Sequence, residues 1–107
     1  MTDAEFHREA EAMMTRIEEA IEASGADIEC ENAGDVLTLE FANGSKIIVN
    51  KQTPAHELWV AAKSGGYHYA LREGQWRNTQ SHAELLADLA RFAATQAGAP
   101  VGLSGGA

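Results

Sequence analysis

The chain opens on a three- and four-residue rhythm. Phe6, Ala10, Met13, Met14, Ile17 and Ile21 recur at that spacing and draw one apolar stripe along a helix. Thr2 and Glu5 stand in the S/T-x-x-E relation of a capping box, so the helix should begin at Thr2 or Asp3. Gly25 is its natural stop, because helices commonly end on a left-handed residue and glycine adopts that conformation freely. From Asp27 the rhythm changes to two. Ile28 and Cys30 point one way; Asp27, Glu29 and Glu31 point the other. Asn32-Ala33-Gly34-Asp35 reads as a turn, and Val36 to Phe41 as a second strand with Leu37, Leu39 and Phe41 on one face. Asn43-Gly44 predicts a hairpin, because both residues tolerate positive φ.

Lys46 to Asn50 follows as a third strand, and Pro54 interrupts the loop after it. Leu58, Val60 and Ala62 share one face of a fourth strand, with Glu57, Trp59, Ala61 and Lys63 opposite. Gly65-Gly66 should turn the chain into Tyr67 to Leu71, and the run around Trp76 adds a last, small strand. Ser81 and Glu84 form a second capping-box pair. It precedes a helix traced by Leu85, Leu86, Leu89, Phe92, Ala93 and Gln96 and ended by Gly98 and Pro100.

The expected fold class is α+β, a two-layer sandwich. The N- and C-terminal helices cover one face of a five- to six-stranded antiparallel sheet, since each has one apolar stripe to bury. Trp59 and Lys63 would then lie on the open face. Residues 1–97 form the expected domain and 98–107 a flexible, Gly-rich tail.

Composition adds boundaries to this picture. A chain of 107 residues with 45% hydrophobic and 22% charged residues suits one globular domain. Cys30 is the single cysteine, which excludes an intrachain disulfide. Together with an acidic start that matches neither a signal peptide nor a presequence, it points to the cytoplasm. No apolar run reaches the ~20 residues of a spanning helix. A net charge of −8 argues against nucleic acid and anionic membranes as partners, and for a basic protein surface or a cation.

That charge is concentrated. The first forty residues hold twelve acidic and two basic side chains, a charge of −10, while the remainder carries +2. Glu18, Glu19 and Glu22 fall at the end of the first helix, and Asp27, Glu29 and Glu31 line one face of the first strand. A solvated face is the plain reading, but three details count against it. Glu18 and Glu22 repel each other at i,i+4. Both stand at the helix C-terminus, where the dipole disfavours anions. No basic residue is interleaved between Glu18 and Glu31. Exposed carboxylates are hard oxygen ligands suited to Mg²⁺, Ca²⁺, Mn²⁺ and iron, and without His or Cys the site should be weak and unselective. His7 could join Asp3 or Glu11 on the first helix. The Asp27-x-Glu29-x-Glu31 spacing fails as a calcium loop, because Asn32 replaces the required glycine and Thr38 the final glutamate.

Little points to an enzyme. Gly102-Leu103-Ser104-Gly105-Gly106 matches G-x-S-x-G by chance, with no strand before it or helix after it. No phosphate loop, paired-cysteine pattern or histidine ligand spacing occurs. Cys30 should face the core among acids that make it a poor nucleophile.

The most distinctive run is Asn50-Lys51-Gln52-Thr53-Pro54, followed by Trp59 and then Gly65-Gly66-Tyr67-His68. A half-exposed Trp beside amides is a typical protein-contact anchor. With the opening Glu5-Phe6-His7-Arg8 and the acidic helix end, this run resembles the frataxin family in its bacterial form, from about Thr2 to Gln96. The resemblance implies an iron-binding regulator of iron–sulfur cluster assembly that docks on the cysteine desulfurase near the scaffold protein. It implies Fe²⁺ or Fe³⁺, weakly held and exchangeable, on Glu18, Glu19, Glu22, Asp27, Glu29 and Glu31. It implies partner contacts through the helix-end glutamates and through Asn50, Gln52 and Trp59. A monomer is expected, with oligomers induced by iron. The sequence departs from the family at Ala23 and Ser24, where relatives are often acidic, and at Glu57, where an amide is common. Two other readings stand beside this one: an iron store or ferroxidase, and a binding module with no metal role.

Overall fold

The computed structural model describes residues 1–103. Helix α1 spans Asp3–Ser24 and helix α2 spans Leu85–Ala97. Between them run β1 (Ile28–Asn32), β2 (Val36–Phe41), β3 (Lys46–Gln52), β4 (Glu57–Ala62), β5 (Gly65–Arg72) and β6 (Gln75–Asn78). The six strands form one antiparallel sheet in chain order, β1 to β6. Both helices bury their stripes on the same face, against Leu37, Leu39, Ile47, Val49, Leu58 and Tyr69. Each fully buried side chain of this kind contributes about 1.5–3 kcal/mol. The fold is the expected α+β sandwich, with all six strands.

Helix α1 begins and ends as the sequence predicts. Thr2 Oγ1 accepts from the Glu5 amide at 3.1 Å and Glu5 Oε1 from the Thr2 amide at 3.0 Å. Gly25 closes the helix at φ 71°.

Four local expectations change. The Asn43 hairpin places positive φ on Gly44 alone, at 86°, and is a three-residue loop of Ala42, Asn43 and Gly44. The Gly44 amide donates to the Phe41 carbonyl, and the Asn43 side chain is engaged elsewhere. Its amide nitrogen donates to the Gln96 carbonyl at 2.7 Å and its oxygen accepts from the Ser45 amide at 2.9 Å.

Gly65 and Gly66 lie inside β5, paired with Ala62 and Ala61, so the turn is Lys63-Ser64. Gly65 is needed in the strand because its φ of 145° excludes most side chains.

Glu84 itself caps α2. Its carboxylate accepts from the Leu86 amide at 2.8 Å and the Ala87 amide at 3.4 Å, whereas Ser81 accepts from Ala83. The bridge between Arg77 and Glu84 holds Glu84 at that position, so no Ser81–Glu84 box forms.

The tail is the fourth. Past Gly98, Val101 is buried and Leu103 packs on the core. Residues 104–107, with most of the G-x-S-x-G match, lie outside the described residues.

Candidate functional site: an acidic edge and an open sheet face

The sheet alternation sorts the acidic residues onto two sides of β1. Ile28 and Cys30 turn towards the helices. On that side Glu18 and Glu22, from the last turns of α1, meet Ile28 and Cys30 around a cleft of about 380 Å³. Glu18 is half-buried and its Oε1 accepts from the Asn32 side-chain amide at 3.2 Å, which ties the helix end to β1. Glu19 is exposed on the helix. Burial, and then the charges of Glu18 and Glu22, push the Cys30 thiol above its usual range, so it stays protonated and unreactive near neutral pH.

Asp27 and Glu29 line a second cleft of about 320 Å³, and Glu40 joins them. Glu29 lies directly opposite Glu40 across the β1–β2 ladder, a like-charge pair that costs stability. Glu31, exposed, faces Thr38. The sequence reading missed Glu40. Its signal was present, because Leu37, Leu39 and Phe41 on the core face leave Glu40 on the other.

Four of the six expected carboxylates therefore line two clefts, Glu18 and Glu22 one and Asp27 and Glu29 the other, while Glu19 and Glu31 stand exposed outside both linings. Among the described residues, no three His, Cys, Asp or Glu side chains come together as a ready ligand set. The donor chemistry still fits a hard cation: exposed carboxylate oxygens, one or two at a time, with water completing the shell. Asp3 and His7 are not brought together as ligands. Asp3 Oδ1 meets His56 Nε2 at 2.7 Å, and the His7 ring lies 5.7 Å from that of Phe6. Glu11 is held by Lys51 at 3.2 Å. The Lys51 side chain is only 3% exposed and also lies 3.5 Å from Asp35, so it fastens α1 to the β1–β2 turn.

On the uncovered sheet face, Asn50, Trp59 and His68 stand in one row across β3, β4 and β5. Trp59 and His68 stack with centroids 4.2 Å apart and planes 5° from parallel. The Trp59 indole donates to Glu57 Oε1 at 2.9 Å, and the same oxygen lies 3.7 Å from His68 Nδ1. Gln52 pairs with Glu57 beside them. Trp59 is thus half-buried and fixed in orientation rather than free on the surface. The sequence reading missed His68 as its partner, since cross-strand register decides who stacks on whom.

Together these features define an α+β sandwich that presents an acidic edge and an aromatic–amide sheet face. A frataxin-like domain model matches residues 1–99, and the chain belongs to the frataxin family. It is 52% identical over 101 residues to the iron-sulfur cluster assembly protein CyaY of Paraburkholderia phymatum, covering 94% of this chain and 96% of that one. The protein of the same name from Paraburkholderia xenovorans is also 52% identical, with the same coverage. Among solved structures, the frataxin of Psychromonas ingrahamii, a member of the CyaY protein family, superposes with a TM-score of 0.91. It is 38% identical, and the match covers 97% of this chain and 99% of that one.

Proposed function

We propose that this protein is an iron-binding regulator and adaptor of iron–sulfur cluster assembly, itself without catalytic chemistry. The observation that carries the reading is the −10 charge of the first forty residues, with six of its twelve acids on the last turns of α1 and on or beside β1, in a chain of this family. In this reading the edge does two things. Glu18, Glu19 and Glu22 dock on a basic face of the cysteine desulfurase, with the strand carboxylates extending the field. The same carboxylates, Glu18, Glu19, Glu22, Asp27, Glu29 and Glu31, take Fe²⁺ or Fe³⁺ loosely as cargo or signal. Asn50, Gln52 and Trp59 meet the scaffold side of the complex, with Trp59 held ready by Glu57 and His68. Occupying the edge with iron neutralises the charge that drives docking, which couples iron level to desulfurase control.

The test is the rate of sulfide production by a cognate cysteine desulfurase with its scaffold, with and without this protein, at zero and excess Fe²⁺. An iron-dependent change in rate is expected. Combined charge reversal, Glu18→Lys, Glu19→Lys and Glu22→Lys, should abolish both the effect and the complex. An unchanged rate with no complex in the same samples would overturn the reading. The ferroxidase alternative needs a paired-metal site, and no observation among the described residues favours it.

A further inference from the structure

We propose that the β5–β6 end of the open sheet face is a binding site for a small molecule that carries paired oxyanion groups, phosphate or carboxylate. It lies at the far end of the sheet from the acidic edge and is independent of iron and of the desulfurase.

A cleft of about 550 Å³ opens there, lined by Arg72, Glu73, Gln75, Arg77 and His82. That volume falls within the roughly 300–1,000 Å³ of small-molecule sites. Arg72 faces Gln75 across the ladder and Arg77 faces Ala70, which makes the two arginines diagonal neighbours on one face. Diagonal partners stand about 7–8 Å apart, a separation that two linked oxyanion groups can bridge.

The arginines are held in a way that keeps their charge available. Arg77 donates to the His82 carbonyl at 3.3 Å and to Gln75 Oε1, and Arg72 donates to the Leu71 carbonyl at 3.1 Å. All three acceptors are neutral. Among the described residues neither guanidinium meets a carboxylate within ion-pair distance, unlike Arg91, which is paired with Asp88. Two guanidinium groups lining one cleft favour an anion between them, against the single carboxylate of Glu73. The guanidinium fork suits phosphate and carboxylate in a bidentate grip.

Glu73, at φ 51°, and Gly74, at φ 80°, form the two-residue turn that joins β5 to β6, and His82 holds φ 64° in the loop beyond β6. The acidic edge on β1 lies four to five strands away, roughly 19–24 Å at the usual strand spacing. At physiological salt the Debye length is only about 8 Å, so the negative edge does not repel an anion here. Glu73 is the one carboxylate in the lining and sets the affinity low.

The experiment is an NMR titration of the iron-free protein with pyrophosphate at constant ionic strength, with succinate as a second arm. It follows the backbone amides and arginine side chains of Arg72, Gln75, Arg77 and His82. Saturable shifts confined to these residues are expected. Saturation by pyrophosphate alone would assign phosphate, and by both ligands oxyanions in general. Arg72→Gln and Arg77→Gln should each weaken binding at least tenfold, Glu73→Gln should tighten it, and Arg8→Gln on α1 should leave it unchanged. Shifts that stay linear, spread over all cationic side chains, or survive both arginine substitutions would overturn the proposal.

Discussion

At the scale of single residues, the core holds polar groups that the apolar stripes hide. Asp88 is 2% exposed and lies on the inner side of α2, where its Oδ2 accepts from the Tyr69 hydroxyl at 2.7 Å. Burial first, and then the Asp88 hydrogen bond and charge, push the Tyr69 phenol well above its ordinary range. A phenol raised in the folded state stabilises the fold fully below its unfolded pKa of about 10. That contribution is lost as the pH rises from there towards the folded value. Urea midpoints measured from pH 8 to 11 should therefore fall more steeply for the parent than for Tyr69→Phe. At pH 7 the same substitution should cost about 1–3 kcal/mol, because it leaves a buried acceptor short of its donor. Parallel curves would show that Tyr69 is not the titrating group. Gln96 behaves likewise: its side-chain oxygen accepts from the Lys63 amide at 2.9 Å and its nitrogen donates to Ser45 and the Lys46 carbonyl. Its place in the apolar stripe of α2 is legible in the sequence; the two hairpins it joins are not.

At the scale of elements, α1 and β1 combine good local design with a charge arrangement that opposes stability. The capping box, the apolar stripe and the Gly25 stop all favour the helix. Its last turn contains no basic residue; Glu22 lies there, where the dipole repels it, and Glu18 stands one turn before it at i,i+4. Glu22→Gln should therefore raise the thermal midpoint by the equivalent of roughly 0.3–1 kcal/mol. A lower midpoint would mean that Glu22 is a structural residue and that the edge is not under repulsion. Helix end and strand carry their acids for different geometric reasons. On α1 the spacing of 18, 19 and 22 keeps them off the buried stripe. On β1 simple alternation puts Glu29 and Glu31 opposite Ile28 and Cys30, and Asp27 stands just before the strand. The sequence shows each set, but the split into two clefts, with Glu40 joining the second, follows from the β1–β2 register.

At the scale of the whole molecule, the sheet separates charge. One end carries the acidic edge and the other the Arg72–Arg77 corner, so a net charge of −8 becomes a directional field. Such a field steers encounter more than it adds affinity. Association with a basic partner should slow by an order of magnitude or more between low and physiological salt, while dissociation changes less. Stopped-flow mixing with the cysteine desulfurase, the partner proposed above, measures both rates. Salt-independent association would remove the steering role of the edge. Among the described residues no helix is long and apolar enough to cross a membrane.

Periodicity alone determined the two helices, the buried stripes and the acidic run, and left the sheet at five to six strands. These depend on which side of a local element a residue lies, and the chain writes that in steps of two or of three and four. It also carried the motif run that resembles the frataxin family. Tertiary structure alone decided who meets whom. It paired Trp59 with His68, Asp3 with His56 in place of His7, Lys51 with Glu11, and Asp88 with Tyr69. It also moved a turn from Gly65-Gly66 to Lys63-Ser64 and seated Val101 on the core. These outcomes rest on strand register and on packing between residues far apart in the chain. A one-residue slip would change every partner and leave the local pattern of the sequence unaltered.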